Sequence, residues 1–332
     1  MNATYPSTIQ RLQAYSDLEL PLVLKRLRRL FRIRKDCDGE LTHIPISDPT
    51  LSQVHTLLRK SYDRPLDARA TIPWDLGVHR DRPAKVLSQL WMCGTPFGDS
   101  MTERQRIELS WLEIARDVSW LIKLKESTSA LYMGYLNQYK RSLPPVVQDY
   151  LLVVAKEEIV HALMFKRFMS VAGLPAFTKF PVFGHIAALL PEMHPCVGIL
   201  GQLIPGWIIH AGAMFATQSA AIDALTREVF NLHHVDKARH LDFSRRMVED
   251  YFSDAPRQER QRVRQMFRQV IKDMLASYRF SSEVARHTSF EFPIDTTKRD
   301  LVKAIRESIS NTRLDDARFS ELMNWLWTMD LI

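Results

Sequence analysis

Residues 156–161 read Lys-Glu-Glu-Ile-Val-His and lie in a long segment with no glycine or proline between 146 and 172. Glu158 and His161 are three residues apart, so on a helix both side chains project from one face. A carboxylate and an imidazole at this spacing reach a common metal ion, and Glu-x-x-His is the repeating unit of helical bundles with two carboxylate-bridged metal ions. Because Glu and His also meet by chance on many helices, the motif alone only suggests a metal-binding bundle.

A second pattern follows at residues 233–240, which read His-His-Val-Asp-Lys-Ala-Arg-His. His233 and His240 are about two helical turns apart, and Asp236 or Lys237 lies between them near the same face. Nitrogen and carboxylate ligands suit iron, manganese or zinc. A single histidine on an amphipathic helix is more often structural, but the two patterns together in an all-helical chain indicate a metal site.

The composition favours long helices and excludes several classes of protein. Of the 332 residues, 46% are hydrophobic and 25% are charged, so the chain is not mainly disordered. Only 11 glycines leave little material for hairpins or a phosphate-binding loop, and no segment alternates with a period of two. Cys37, Cys93 and Cys196 are widely spaced, which argues against a disulfide framework or a cysteine zinc site and favours the cytoplasm.

Neither a membrane nor a nucleic acid is expected as a partner. Residues 1–20 lack a basic segment followed by an apolar run, so no signal peptide is expected. The longest apolar run, 197–216, is interrupted by glycines, a proline and polar residues, which predicts a core helix rather than a membrane span. The net charge of +7 is spread along the chain without interleaved aromatic residues, as on solvated helix faces.

The chain is predicted to form a single helical domain, residues 1–332. Residues 1–100 form an N-terminal arm, with an amphipathic helix over 1–35 and then mostly loops with short helices. Residues 101–290 form the core bundle, and 291–332 form a helical tail with a cap at Asp295. Start and stop signals define the core helices. They span residues 102–144, 146–172, 196–221, 222–251 and 256–288.

A further carboxylate is expected from the first core helix. Glu126 lies at the end of an apolar run, 32 residues before Glu158. The alternative is that Glu126 is a surface acid paired with Lys123, three residues earlier.

An ordered series of motifs runs from about residue 71 to residue 250. It comprises Ile-Pro-Trp-Asp at 72–75, Gly-Thr-Pro at 94–96, Thr-Glu-Arg-Gln-Arg at 102–106, Glu-x-x-His at 158–161 followed by Met-Phe at 164–165, Leu-Thr-Arg-Glu-Val at 225–229, and the 233–240 segment followed by Phe243. In this series the chain resembles the para-aminobenzoate N-oxygenase family of non-haem di-iron oxygenases. The resemblance implies an all-α, ferritin-like helical bundle, here with extra helices and an extended N-terminal arm. It also implies that two irons activate dioxygen to oxidise an amine, often in natural-product assembly.

The resemblance further implies a set of metal ligands. Glu126, Glu158 and His161 match the ligands on the first two core helices. His233 and His240 match the two histidines on the fourth core helix.

The chain departs from the family at two ligand positions. The family's motif on the fourth helix reads His-x-x-x-Glu-x-x-His, and Lys237 stands where the bridging glutamate belongs. The third core helix should supply another glutamate, but residues 205–221 contain none, and His210 is aligned to that position. A protonated lysine has no lone pair and cannot bridge two metal ions.

Three hypotheses about Lys237 follow. In the first, two metals still bind through the remaining ligands, and Lys237 is catalytic as a proton donor or base, or is itself a ligand. In the second, only one metal site survives. In the third, the ammonium group of Lys237 replaces one metal charge. Asp236, rotated about 100° from Lys237 on the helix, is expected to pair with the outer ring nitrogen of His161 and orient it.

The sequence therefore predicts a cytoplasmic, iron-dependent oxygenase that acts on a small amine or amino-acid-derived substrate with dioxygen. No flavin or nicotinamide fingerprint is present, so the electrons are expected from an external donor. A homodimer is expected from the resemblance alone. The alternatives are a homologue with a degenerate site that binds or scaffolds a pathway partner, and a changed chemistry in which Lys237 takes part.

Overall fold

The structure, a computed structural model, describes residues 44–178, 187 and 189–332. The described residues contain no β-strand, which confirms the predicted all-α class. The amphipathic helix predicted over residues 1–35 lies outside them. The α-helices along the described chain are α1 Asp48–Asp63, α2 Pro96–Asp99, α3 Glu103–Tyr139, α4 Pro145–Val171, α5 Pro195–Thr217, α6 Ala224–Asp254, α7 Arg257–Tyr278, α8 Ser282–Ala285, α9 Arg299–Arg306 and α10 Ile309–Thr328.

The four long helices α3 to α6 form the core of a ferritin-like bundle. Helix α3 packs along α4, and α5 packs along α6. The two pairs meet where α3 contacts α5 and where α4 contacts α6. Helix α1 covers α4 and α6, while α7 and α10 lie against α5. One face of each core helix therefore looks into a shared interior, as in bundles that build metal sites from facing helices.

Local capping fixes where the core helices begin. The Thr102 hydroxyl accepts a hydrogen bond from the Gln105 amide, and the Gln105 side chain accepts one from the Thr102 amide, which forms a capping box before α3. Pro145 opens α4, where its missing N–H would be unpaired in any case. Asp223 caps α6 by accepting the Thr226 amide at 2.8 Å. The predicted starts of these three helices are thus confirmed to within two residues.

Three predicted helix ends and one predicted cap were wrong. Helix α3 ends at Tyr139 rather than at residue 144. Helix α5 ends at Thr217 rather than at residue 221. Helix α7 ends at Tyr278 rather than at residue 288, because Arg279 turns into extended backbone and its guanidinium pairs with the buried Asp315 of α10 at 2.6 Å. Asp295 accepts the Thr297 amide in a turn and does not cap α9.

Helix α1 was not located from the sequence, since residues 36–100 were expected to be mostly loops. Its 16 residues begin after Ser47, whose hydroxyl accepts the Thr50 amide. Val54 and Leu57 of α1 are buried. The segment before α1 is rich in proline and aspartate, which hid the short apolar face of this helix.

Helix α5 is the most apolar element of the bundle. It is long and apolar enough to cross a membrane by length and composition, but most of its residues are buried inside the protein. Pro205 lies within it. The helix is therefore a core helix of the bundle, as the interrupted apolar run predicted. The proposed division of the chain at residues 100 and 291 stays a prediction.

Candidate functional site

Three predicted ligands meet where α4 faces α6. Glu158 and His161 project from α4 and His240 from α6, all are buried, and one ligand atom from each lies within 4.8 Å of the others. Glu158 Oε1 lies 3.0 Å from His240 Nδ1, and Glu158 Oε2 lies 3.7 Å from His161 Nδ1. The structure thus brings together the two sequence patterns on neighbouring helices.

A carboxylate lies against the outer nitrogen of each of these histidines. His161 Nε2 is 3.0 Å from Asp236 Oδ2, the contact that the sequence predicted for Asp236. His240 Nε2 is 2.6 Å from Glu157 Oε2. If the proton of each imidazole lies on the nitrogen that faces the carboxylate, the other nitrogen presents a lone pair towards Glu158, as in the carboxylate–histidine–metal arrangement.

Arg239 joins the two outer carboxylates. Its Nη2 donates to Asp236 Oδ1 at 2.6 Å and to Glu157 Oε1 at 3.2 Å. Although burial acts in the opposite direction, the hydrogen bond with His240 lowers the pKa of Glu157, and the one with His161 lowers the pKa of Asp236. Both carboxylates therefore stay ionised and orient the two rings. Sequence reasoning missed Glu157, for which the spacing of four residues from His161 was the signal that both lie on one side of α4.

His233 lies fully buried beside the cluster. Neither ring nitrogen has a hydrogen-bond partner among the described residues. Its ring packs edge-on against His161, with centroids 4.9 Å apart, and against Phe165 at 5.0 Å. Burial and the nearby Lys125 hold the pKa of His233 well below its ordinary value, so the ring is neutral. A buried imidazole whose two nitrogens have no hydrogen-bond partner in the described chain is a candidate metal ligand.

Two lysines face Glu158. Lys125 of α3 is fully buried, and its Nζ lies 2.6 Å from Glu158 Oε2. Lys237 Nζ lies 3.9 Å from Glu158 Oε1. Against the effect of burial, these two cations hold the pKa of Glu158 well below its ordinary value. Burial, together with repulsion from Lys125, lowers the pKa of Lys237 to about 8. Glu158 is therefore a carboxylate with one cation beside each oxygen.

Glu126 does not join the cluster, and its prediction as a metal ligand was wrong. Its side chain is 43% exposed and accepts a hydrogen bond from Lys166 of α4 at 2.6 Å. Successive residues of a helix are rotated by about 100°, so only one of the neighbours Lys125 and Glu126 faces the interior. The surface-acid alternative holds, although with Lys166 as the partner rather than Lys123. The buried positions Leu121, Lys125 and Thr128 recur at helical spacing and were the signal for Lys125.

His210 is not one of the three clustered ligands but lies beside His233, with ring centroids 5.4 Å apart. Its Nε2 lies 2.9 Å from His234 Nδ1, and the two rings are stacked with centroids 5.0 Å apart. One turn earlier, Gly206 is the residue of α5 that approaches Lys237: a Cβ added to Gly206 would lie 3.0 Å from Nζ. Helix α5 therefore contributes no carboxylate to the described cluster, and the alignment of His210 to a metal-binding glutamate is not supported.

The donor atoms in this cluster fit one metal ion and do not fit two. Glu158, His161 and His240 form a set of two histidines and one carboxylate, which suits ferrous iron with open positions. His161 Nδ1, the ligand atom of that residue, has no hydrogen-bond partner in the described chain, and His233 adds one further imidazole whose nitrogens have none. A second ion has no further carboxylate among the residues described at the centre of the cluster. In place of further carboxylates, Lys125 of α3 and Lys237 of α6 lie beside Glu158.

Comparison with known proteins identifies the family of the chain. The model of the p-aminobenzoate N-oxygenase AurF family matches residues 50–326, nearly the whole chain. The match reaches beyond the 71–250 segment in which the sequence motifs were found. A search of curated proteins gave no match. The chain belongs to the p-aminobenzoate N-oxygenase AurF family.

Proposed function

We propose that this chain, as a member of the N-oxygenase family, oxidises the nitrogen of a small amine with dioxygen at a single iron ion. Glu158, His161 and His240 would hold the ion, with His233 as a further donor. Electrons would come from an external donor. The cytoplasm, a homodimeric state and a place in natural-product biosynthesis belong to the same proposal.

The observation that carries the proposal is the carboxylate behind each histidine. Asp236 and Glu157 fix which nitrogen of His161 and His240 points inward, and Arg239 fixes the two carboxylates. Such outer partners orient and strengthen metal ligands, and their loss typically weakens metal binding. Two imidazoles oriented in this way around one carboxylate are the arrangement expected of a metal site.

The chain's own residues prepare the site for this chemistry. When bound, iron supplies the activation of dioxygen. The buried Phe165 and Phe230 cover the histidine side and exclude water. The ammonium groups of Lys125 and Lys237 disfavour a second cation nearby. They therefore favour an amine that reaches the site uncharged, such as an amine on an aromatic ring.

Iron analysis and product detection test this proposal. After anaerobic loading with ferrous iron and removal of excess metal, the protein is expected to hold about one iron per chain. With dioxygen and a chemical reductant, a panel of small aromatic and amino-acid-derived amines is then screened for an oxygen-containing product by mass spectrometry. His161→Ala should lose both the iron and the product. His55→Ala, at an exposed histidine of α1, is the matched control. An iron-loaded protein that oxidises no amine in the panel counts against the proposed substrate class.

A second candidate function is that of a metal-free binding protein, and the charge balance of the cluster favours it. Three carboxylates face three basic side chains in the cluster, so the acidic charge already has cationic partners without metal. These charges belong to Glu157, Glu158, Asp236, Lys125, Lys237 and Arg239. A folded protein that takes up no iron under the loading conditions above would select this candidate over the oxygenase.

A further inference from the structure

We infer that Lys125 and Lys237 together take the place of a second metal ion, so that this member of the family holds at most one. The inference deepens the proposed function, on which it rests for the first ion. The two lysines also explain how the bundle keeps its geometry without the carboxylates that the family pattern expects.

The first step concerns the two oxygens of Glu158. A carboxylate that bridges two metal ions offers one oxygen to each of them, and such ions lie about 3.5–4 Å apart. In this chain Glu158 Oε2 is occupied by Lys125 at 2.6 Å. Glu158 Oε1 lies 3.0 Å from His240 Nδ1 and 3.9 Å from Lys237 Nζ. The side of Glu158 that faces His240 stays available to one ion, and the other side is taken by an ammonium group.

The second step concerns charge. Two ammonium groups carry the same total charge as one divalent ion, and both are held inside the bundle, with side chains 0% and 8% exposed. A second divalent ion at this place would meet two like charges at short range in a medium of low dielectric constant, where repulsion is strong. It would also find Glu158 as its only carboxylate among the described residues at the centre of the cluster. The exclusion of a second ion therefore follows from these two side chains, while Glu158, His161 and His240 supply the ligands of the first.

The third step concerns space. Gly206 faces Lys237 so closely that a Cβ there would lie 3.0 Å from Nζ and 3.5 Å from Cε. A glutamate at this position of α5 would therefore need the volume that Lys237 fills. Gly206 and Lys237 form a matched pair across the interior. The lack of a side chain at Gly206 thus leaves room for the end of Lys237.

The test exchanges the two cations for ligands. Wild-type protein and the double variant Lys125→Glu/Lys237→Glu are loaded anaerobically with ferrous iron, and bound iron is measured by mass spectrometry of the metal. The wild type should hold no more than one ion, and the double variant should hold one ion more than the wild type. Two ions in the wild type, or no gain in a folded double variant, would overturn the inference.

Lys60→Glu/Lys123→Glu is the matched control, because this double variant makes the same change of charge at exposed positions of α1 and α3. It should leave the iron content at the wild-type value. A gain of iron in this control equal to that of the double variant would also overturn the inference, since the effect would then come from overall charge.

A second variant covers the case in which the double variant does not fold. Lys125→Met removes the ammonium group from Glu158 without adding a ligand. Its melting temperature without metal should fall below that of the wild type, and Mn²⁺ should raise it by more degrees than it raises the wild type, because the ion then replaces the missing cation. Equal responses to Mn²⁺ would contradict the inference. Failure of the proposed function has a different signature, which is a wild type that binds no iron and oxidises no amine.

Discussion

The contact between Asp236 and His161 gives the most direct prediction at the scale of single residues. Asp236→Asn keeps the shape of the side chain but removes the charge that holds the proton on the outer nitrogen of His161. We expect iron affinity to fall by about 10–100-fold, measured by competition with a metal chelator. Asp254→Asn, at an exposed position near the end of α6, is the control and should leave the affinity unchanged. Equal affinities in wild type and Asp236→Asn would remove the orienting role of Asp236.

Arg239 gives a second prediction at this scale. Arg239→Met leaves the buried Asp236 and Glu157 without their shared cation. Breaking a buried ion pair by removing one partner typically lowers the free energy of unfolding by about 3–5 kcal/mol, which urea denaturation measures. Arg246→Met, which breaks the partly exposed pair with Asp242 on the same helix, should lower it by less than about 1 kcal/mol. If the two variants are destabilised equally, Arg239 does not hold the outer carboxylates together.

The residues that sequence reasoning identified and missed differ for a physical reason. Glu158, His161 and His240 repeat at spacings that only a shared helix face explains, and they meet as expected. Lys125 and Glu126 are neighbours in the sequence, and a prediction of helix alone does not fix which of them turns inward. The packing of α3 against α4 decides this. It places the cation Lys125, rather than the carboxylate Glu126, beside Glu158.

At the scale of elements, the ion pair between α10 and the end of α7 predicts a dependence of stability on pH. Burial, which outweighs the attraction of Arg279, raises the pKa of Asp315 to about 6. Between its ordinary value of 3.8 and about 6, the folded protein holds a proton at Asp315 that the unfolded chain has lost. The contribution of Asp315 to the free energy of unfolding therefore falls as pH rises through this window.

Asp315→Asn tests this dependence, because asparagine resembles the protonated acid at every pH. The free energy of unfolding of the variant minus that of the wild type should increase from pH 4 to pH 7, by on the order of 2 kcal/mol. Urea denaturation at several pH values measures the difference. A difference that is constant over this range would show that Asp315 titrates normally in the folded protein.

Helix starts were easier to predict than helix ends for a reason visible in the same elements. Thr102 and Asp223 carry their capping signal in the local sequence, and both caps form. The end of α7 depends on Arg279 reaching Asp315, 36 residues later in the chain. No local pattern contains that contact, and so the predicted helix continued to residue 288.

At the scale of the whole molecule, the bundle was predictable because two ligand motifs on separate long helices can share one site only if those helices pack together. The family match over residues 50–326 agrees with this prediction. The number of metal ions was not predictable, because it depends on which side chains of four different helices converge. Lys125 and Lys237 come from two of those helices and act on a single carboxylate, and Gly206 of a third helix lies against Lys237.

The position of iron in the whole protein tests the central claim most directly. Crystals of the wild-type protein loaded anaerobically with ferrous iron are measured at the iron absorption edge, and the anomalous difference map locates each ion. We expect one peak, within bonding distance of Glu158, His161 and His240, with Lys125 still beside Glu158. Two peaks bridged by Glu158, or no peak in a loaded crystal, would contradict it.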